Sequence, residues 1–256
     1  MDIACSHYKR DKSKKNLEKG EKEEEITTKK EKKQKEKPPI VVYSHGNAGC
    51  RMACFDEIPL CLYYGLEVFC FDFAGCGRSD GEKISLGYFE KKDLKACVEH
   101  LRENHYTRIG LWGRSMGAAT TILYSSSLHR DEEESKHDKK NGKSEKSEKT
   151  DEKIEKNEEK MSNFVKCMIV DSPFTSIYDI AMYLATNQIQ IRIPKFLLGL
   201  FAKIGINKLK NMILKQENFD IYQVSPLKYI SHCKVPALFF AGKSDNLVPC
   251  THSSQL

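Results

Sequence analysis

No run of apolar residues in this chain is long enough to span a bilayer as a helix, and Met1 opens no apolar leader. The expectation is therefore a cytoplasmic protein, although an anchor upstream of Met1 is compatible with the same reading. Also missing is any C-x-x-C spacing among the 10 cysteines, at positions 5, 50, 54, 61, 70, 76, 97, 167, 233 and 250. Zinc frameworks depend on that spacing, so no metal is expected. Several of these cysteines sit inside apolar segments, as buried free thiols do, which suits a reducing compartment. A dinucleotide loop is lacking as well. Gly75-Cys76-Gly77 follows an apolar run, but Ser79-Asp80 precede Gly81, so the third glycine is misplaced and no cofactor is expected.

Charge is what the chain has in excess. Charged residues make up 30% of it, the net charge is +6, and the mean hydropathy is -0.56. Two tracts account for this. Residues 9–37 carry 13 basic and 8 acidic residues, and residues 130–160 carry 10 basic and 12 acidic, with almost nothing apolar in either. Such segments cannot bury enough surface to offset chain entropy. They are expected to be disordered insertions, at 9–37 and 129–162, in a fold that tolerates loop length cheaply. A basic tract can meet nucleic acid or an anionic membrane. Here the signs are mixed and no aromatic is interleaved, so a solvated linker is expected and nucleic acid is not. What remains is long enough for one core.

Outside the tracts the sequence alternates. Strand-like apolar runs occur at 40–44, 67–73, 109–113, 164–170 and 237–241, and Leu94, Cys97, Val98 and Leu101 form a helical stripe between the second and third. Alternation of this kind predicts an α/β fold with a mostly parallel sheet flanked by helices. The third run leads into Gly113-Arg114-Ser115-Met116-Gly117, which opens a small-residue helical stretch. Strand, sharp turn and helix with a serine at the turn form a nucleophile elbow, making Ser115 the candidate nucleophile. The Met116 N–H, in the first helical turn, then points at a developing oxyanion. A second oxyanion donor is expected from the loop after an earlier strand, Ser44-His45-Gly46-Asn47-Ala48-Gly49, with Asn47 N–H assigned. Asp245, in the turn after the run at 237–241, is the candidate acid, against a reading as an Asx-turn residue before the helix at Pro249. Asp171 is the rival acid. His252 is the only histidine after Asp245 in the order Ser, Asp, His. It lies about one helical turn beyond Pro249, a placement that suits a packed helix better than a base.

These motifs, with Phe71-Asp72-Phe73-Ala74-Gly75-Cys76-Gly77-Arg78-Ser79, Asp171-Ser172-Pro173-Phe174 and Ser225-Pro226-Leu227, resemble the α/β-hydrolase superfamily. The likeness is to serine aminopeptidase S33-like hydrolases, including monoacylglycerol-lipase-like and depalmitoylase-like members. It covers roughly 38–128 and 163–256, with residues 1–8 similar to the end of an early strand. The resemblance implies an α/β-hydrolase fold with a small helical cap at about 174–230. It also implies a catalytic histidine one helix and strand beyond the acid, so Leu256 is expected to fall short of it and the chain to be shortened at both ends.

The expected activity is a serine hydrolase cleaving a carboxylic ester or thioester with an apolar acyl group through an acyl-enzyme. The cap stretch has an apolar face at helical spacing, Ile193, Phe196, Leu197, Leu200, Phe201 and Ile204, fit either to line an acyl pocket or to pack on the core. An aminopeptidase needs a carboxylate for the substrate's amine, and between Thr175 and Asn218 only Asp179 and Glu217 are acidic. A non-catalytic hydrolase-fold binding protein is the alternative, and an aminopeptidase-like hydrolase the second. The partner expected is a small-molecule or lipid substrate, with peripheral membrane contact.

Overall fold

The computed structural model describes residues 1–11, 36–140, 161–187 and 194–256. Among the described residues six strands form one sheet: β1 (Cys5–Tyr8), β2 (Ile40–Ser44), β3 (Glu67–Phe71), β4 (Ile109–Arg114), β5 (Val165–Asp171) and β6 (Ala237–Phe240). Their order is β1-β3-β2-β4-β5-β6. β1 runs antiparallel to β3 and all other neighbours are parallel. The helices are α1 (Ile58–Tyr63), α2 (Glu90–Glu103), α3 (Met116–Lys140), α4 (Ile177–Asn187), α5 (Lys195–Glu217), α6 (Pro226–Tyr229) and α7 (Cys250–Gln255).

At β3 both faces of the sheet are covered, which is why the strand is apolar after Glu67. Alternate side chains point to opposite faces. Val68 and Cys70 join Tyr43, Cys54, Ile58 and Cys61 on one side. Phe69 and Phe71 join Ile40, Val42 and the α2 stripe of Leu94, Cys97, Val98 and Leu101 on the other. A third cluster ties α3 to the segment after β5 through Leu123, Phe174, Ile206, Phe219 and Val224.

Register decides where the site lies. Ser44 at the end of β2 is level with Phe71 of β3 and Gly113 of β4, and Arg114 is level with Asp171 of β5. The loops after these strands therefore leave from one edge. The chain goes from β2 out to β3 on one side and returns to β4 on the other. That reversal is a topological switch point, where the loops diverge and leave a crevice.

Helix α3 continues past residue 129 to Lys140, and Met161 is buried against the main core. Asp, Glu and Lys in 131–140 are unfit for a core, but Glu and Lys are good helix formers, and an established helix propagates readily. Most of the two charged tracts, residues 12–35 and 141–160, lies outside the described residues.

Candidate functional site

Ser115 stands between β4 and α3 with φ of 52°. A side chain beyond glycine seldom adopts this left-handed region, and the strain persists only where surroundings enforce it. The enforcement is visible in the two glycines. A Cβ on Gly113 would lie 2.3 Å from Gly117 O, and one on Gly117 would lie 2.0 Å from Ser44 O. Strand β4, helix α3 and the end of β2 thus meet backbone to backbone, and only glycine fits at either contact. The turn is held by Ser115 N–H donating to Asp171 O (2.8 Å) and Ala119 N–H donating to Ser115 O (3.0 Å). Ser115 itself is half-buried at the strand edge.

Met116 begins α3, so its N–H has no acceptor within the helix and the positive end of the helix dipole is at the serine. The loop after β2 reaches the same place, since a Cβ on Gly46 would be 3.5 Å from Ser115 Cβ. Gly49 N–H closes that loop on Gly46 O at 3.0 Å. Asn47 is exposed at its tip, beside Ala48 with φ of 58°.

The histidines are bonded elsewhere. His45 is fully buried. Its Nε2 accepts from Phe73 N–H at 3.1 Å, so its proton is on Nδ1, which donates to Gly46 O at 2.8 Å. Burial lowers its pKa, against the Gly46 bond and the charges of Asp72 and Glu90. A neutral His45 thus shapes the loop after β2. His252, on α7, is also buried. Its Nδ1 accepts from Thr175 N–H at 3.2 Å and meets Thr175 Oγ1 at 2.8 Å. Thr175 Oγ1 also bonds Asp179 Oδ2 at 2.8 Å. Burial lowers the pKa of His252, with Asp179 opposing. This network holds α7 against the start of α4.

Asp245 lies in the turn after β6. Its Oδ1 accepts from Leu247 N–H (2.8 Å) and Val248 N–H (2.9 Å), an Asx-type arrangement. Among the described residues its Oδ2 has no hydrogen bond. Asp171 has both oxygens engaged, Oδ1 by Ser172 Oγ at 3.0 Å and Oδ2 by Arg114 Nε at 3.6 Å.

Sequence reasoning did not single out the carboxylates that fix the surrounding loops. Asp72 is fully buried. Its oxygens accept from Arg51 N–H (2.5 Å), Arg78 N–H (2.9 Å) and the Arg51 guanidinium. Burial works against its charge, yet these donors win and its pKa is lowered. A Cβ on Gly77 would lie 2.2 Å from Asp72 Oδ2, so Gly77 makes room for the clamp. The spacing of Asp72 and Gly77 was the available signal. Glu90 similarly gathers Ser85 N–H and Gly87 N–H at 2.6 and 2.8 Å. A cavity of about 250 Å³ lined by Tyr88, Leu123, Ser126, Gln223 and Tyr229 lies two to three α3 turns from Ser115 and is separate from it.

The apolar face of the cap stretch divides. Leu198 and Ile206 pack inward, whereas Phe196, Leu200, Phe201 and Ile204 are exposed. Ile193 falls outside the described residues.

Residues 36–136 match the family model for serine aminopeptidase, S33. An uncharacterised Bacillus subtilis protein, YqkD, is 25% identical over 218 residues, 84% of this chain and 58% of that protein. The Escherichia coli K12 protein YfhR, also uncharacterised, is 24% identical over 84% of this chain and 56% of its own length. The chain thus spans a little over half the length of these relatives. The Pyrococcus furiosus esterase Pf2001 is similar in structure, with a TM-score of 0.53 and 23% identity, over 85% of this chain and 66% of that one. A Paleococcus ferrophilus monoacylglycerol lipase gives 0.53 at 14% identity, over 100% and 83%.

Proposed function

For this chain, whose fold is that of the α/β-hydrolases, we propose a serine hydrolase that cleaves a carboxylic ester or thioester with an apolar acyl group. The observation that carries this is the strained Ser115 between Gly113 and Gly117, at a sheet edge and a helix N-terminus. Strain of this kind clusters at functional sites, and in a strand–turn–helix elbow it presents the hydroxyl at the sheet edge. In this reading Ser115 Oγ attacks the carbonyl carbon, and a base takes its proton. The amides of Met116 and Asn47 receive the oxyanion, worth about 3–4 kcal/mol per donor in comparable sites. Collapse expels the alcohol or thiol, and water then releases the acid from the acyl-enzyme. Asp245, with one oxygen spent on its own turn, is the acid that orients the base. His45 and His252 are both committed to backbone partners, so neither is assigned as the base.

That commitment also favours a second reading, a hydrolase-fold binding protein without catalysis. A fluorophosphonate probe separates the two in the natural full-length protein. Labelling mapped to Ser115, absent from Ser115→Ala and little changed in His252→Ala, supports the hydrolase. No labelling supports the binding protein. If His252→Ala abolishes labelling, His252 leaves Thr175 and serves as the base.

A further inference from the structure

We infer that the outer face of α5 docks the protein on an anionic lipid surface, with the helix lying in the plane of the interface. Phe196, Leu200, Phe201 and Ile204 are 75%, 54%, 59% and 58% exposed. Residues 196, 200 and 204 are spaced by four, so they form one ridge, and Phe201 lies beside it. The opposite side of the helix is the packed one, through Leu198 and Ile206. The first half of α5 is therefore apolar on both sides, which a helix in water does not sustain without a second apolar partner.

Charge identifies that partner. From 180 to 216 the chain has no Asp or Glu and six basic residues. Lys208 continues the ridge at the next four-residue step, Lys203 lies one turn from Leu200, and both are exposed, as is Lys215. Lys210 is instead paired with Asp220 at 3.0 Å. A second copy seated on the same patch would bring lysine against lysine, with no carboxylate on this face to meet them. Anionic headgroups complement the lysines, whose alkyl stems let the charge sit at headgroup level while Phe and Leu side chains enter the acyl boundary. Among the described residues no helix is long and apolar enough to cross a membrane, and five lysines within α5 keep it at the surface.

The test is co-flotation of the purified chain with vesicles of phosphatidylcholine alone or with about 30% phosphatidylserine. Binding to the anionic vesicles is expected. Lys203→Gln and Lys208→Gln should each weaken it about fivefold, with no effect on neutral vesicles. The double variant Leu200→Ser, Phe201→Ser should weaken it at least tenfold. These side chains are exposed, and far-UV circular dichroism checks that each variant folds. Ser115→Ala should bind as the parent does, so this inference stands or falls separately from catalysis. Failure to float with anionic vesicles overturns it. So does binding indifferent to the α5 substitutions, which would place contact on the basic tract at 9–37. A dimer that the double variant converts to monomer would give the patch to a second copy instead.

Discussion

Gly117→Ala asks whether the elbow depends on backbone contact. Gly117 is the second residue of α3, and an added methyl carbon would lie 2.0 Å from Ser44 O, 2.6 Å from Ser44 C and 2.7 Å from His45 O. All three atoms are backbone, so no rotamer change relieves the clash. The helix start and the end of β2 would have to part by about 1 Å in an interior packed as densely as a crystal. Overpacking that side chains can absorb costs about 1–3 kcal/mol. Here nothing soft is available, so about 3 kcal/mol or more is expected, a large share of the usual 5–15 kcal/mol of net stability. For a domain of this size that corresponds to a fall in Tm of roughly 6–12 °C. The control is in the same molecule. Gly199 and Gly205 lie within α5 with nothing within 4 Å of an added Cβ, so alanine there should stabilise by about 0.5–1 kcal/mol. Thermal unfolding by circular dichroism reads both, and probe labelling of Ser115 reads the displaced loop. A Gly117→Ala protein with parental Tm and parental labelling would refute the close-approach argument.

Ser115→Gly should abolish probe labelling yet raise stability by about 1 kcal/mol in urea unfolding, because glycine removes the left-handed strain. A loss of stability would show that the strain is not stored at this residue. The buried histidines set a pH dependence. His45 and His252 have pKa values lowered chiefly by burial, so below about 6.5 the unfolded chain takes up protons that the folded one refuses. Their stabilisation is complete above the unfolded value and declines as pH falls towards the folded values. Unfolding free energy should therefore be lower at pH 5.5 than at 7.5, with a smaller difference in His252→Gln. Equal differences in parent and variant would count against this.

Much of the framework was legible because it is written in neighbouring residues. Apolar runs of strand length located β2 to β6 within one or two residues, and Leu94, Cys97, Val98 and Leu101 marked the buried face of α2. A strand, a glycine-flanked serine and a small-residue helix placed Ser115 at a turn without any tertiary information. The start of α7 beside Pro249 was readable, and the Asx turn weighed against the acid role of Asp245 is present, since such hydrogen bonds close within three residues. How far α3 extends was not legible, because polar composition argues against burial but not against helix.

The rest was decided by contacts between distant segments. That Gly117 must be glycine depends on Ser44, brought alongside by strand register. His45 became a buried support for Gly46 only because Phe73 offers it an N–H, and His252 was claimed by Thr175, 77 residues away. Nothing in the local sequence distinguishes a histidine whose ring nitrogen already accepts from a backbone N–H from one free to take a proton. Which side of α5 faces the core is likewise a tertiary choice, for its first half carries apolar residues on both sides. Periodicity marks a face only where polar residues alternate with it. Where they do not, packing against Phe174, Phe219 and Val224 selects the buried side and leaves Phe196, Leu200, Phe201 and Ile204 to the outside.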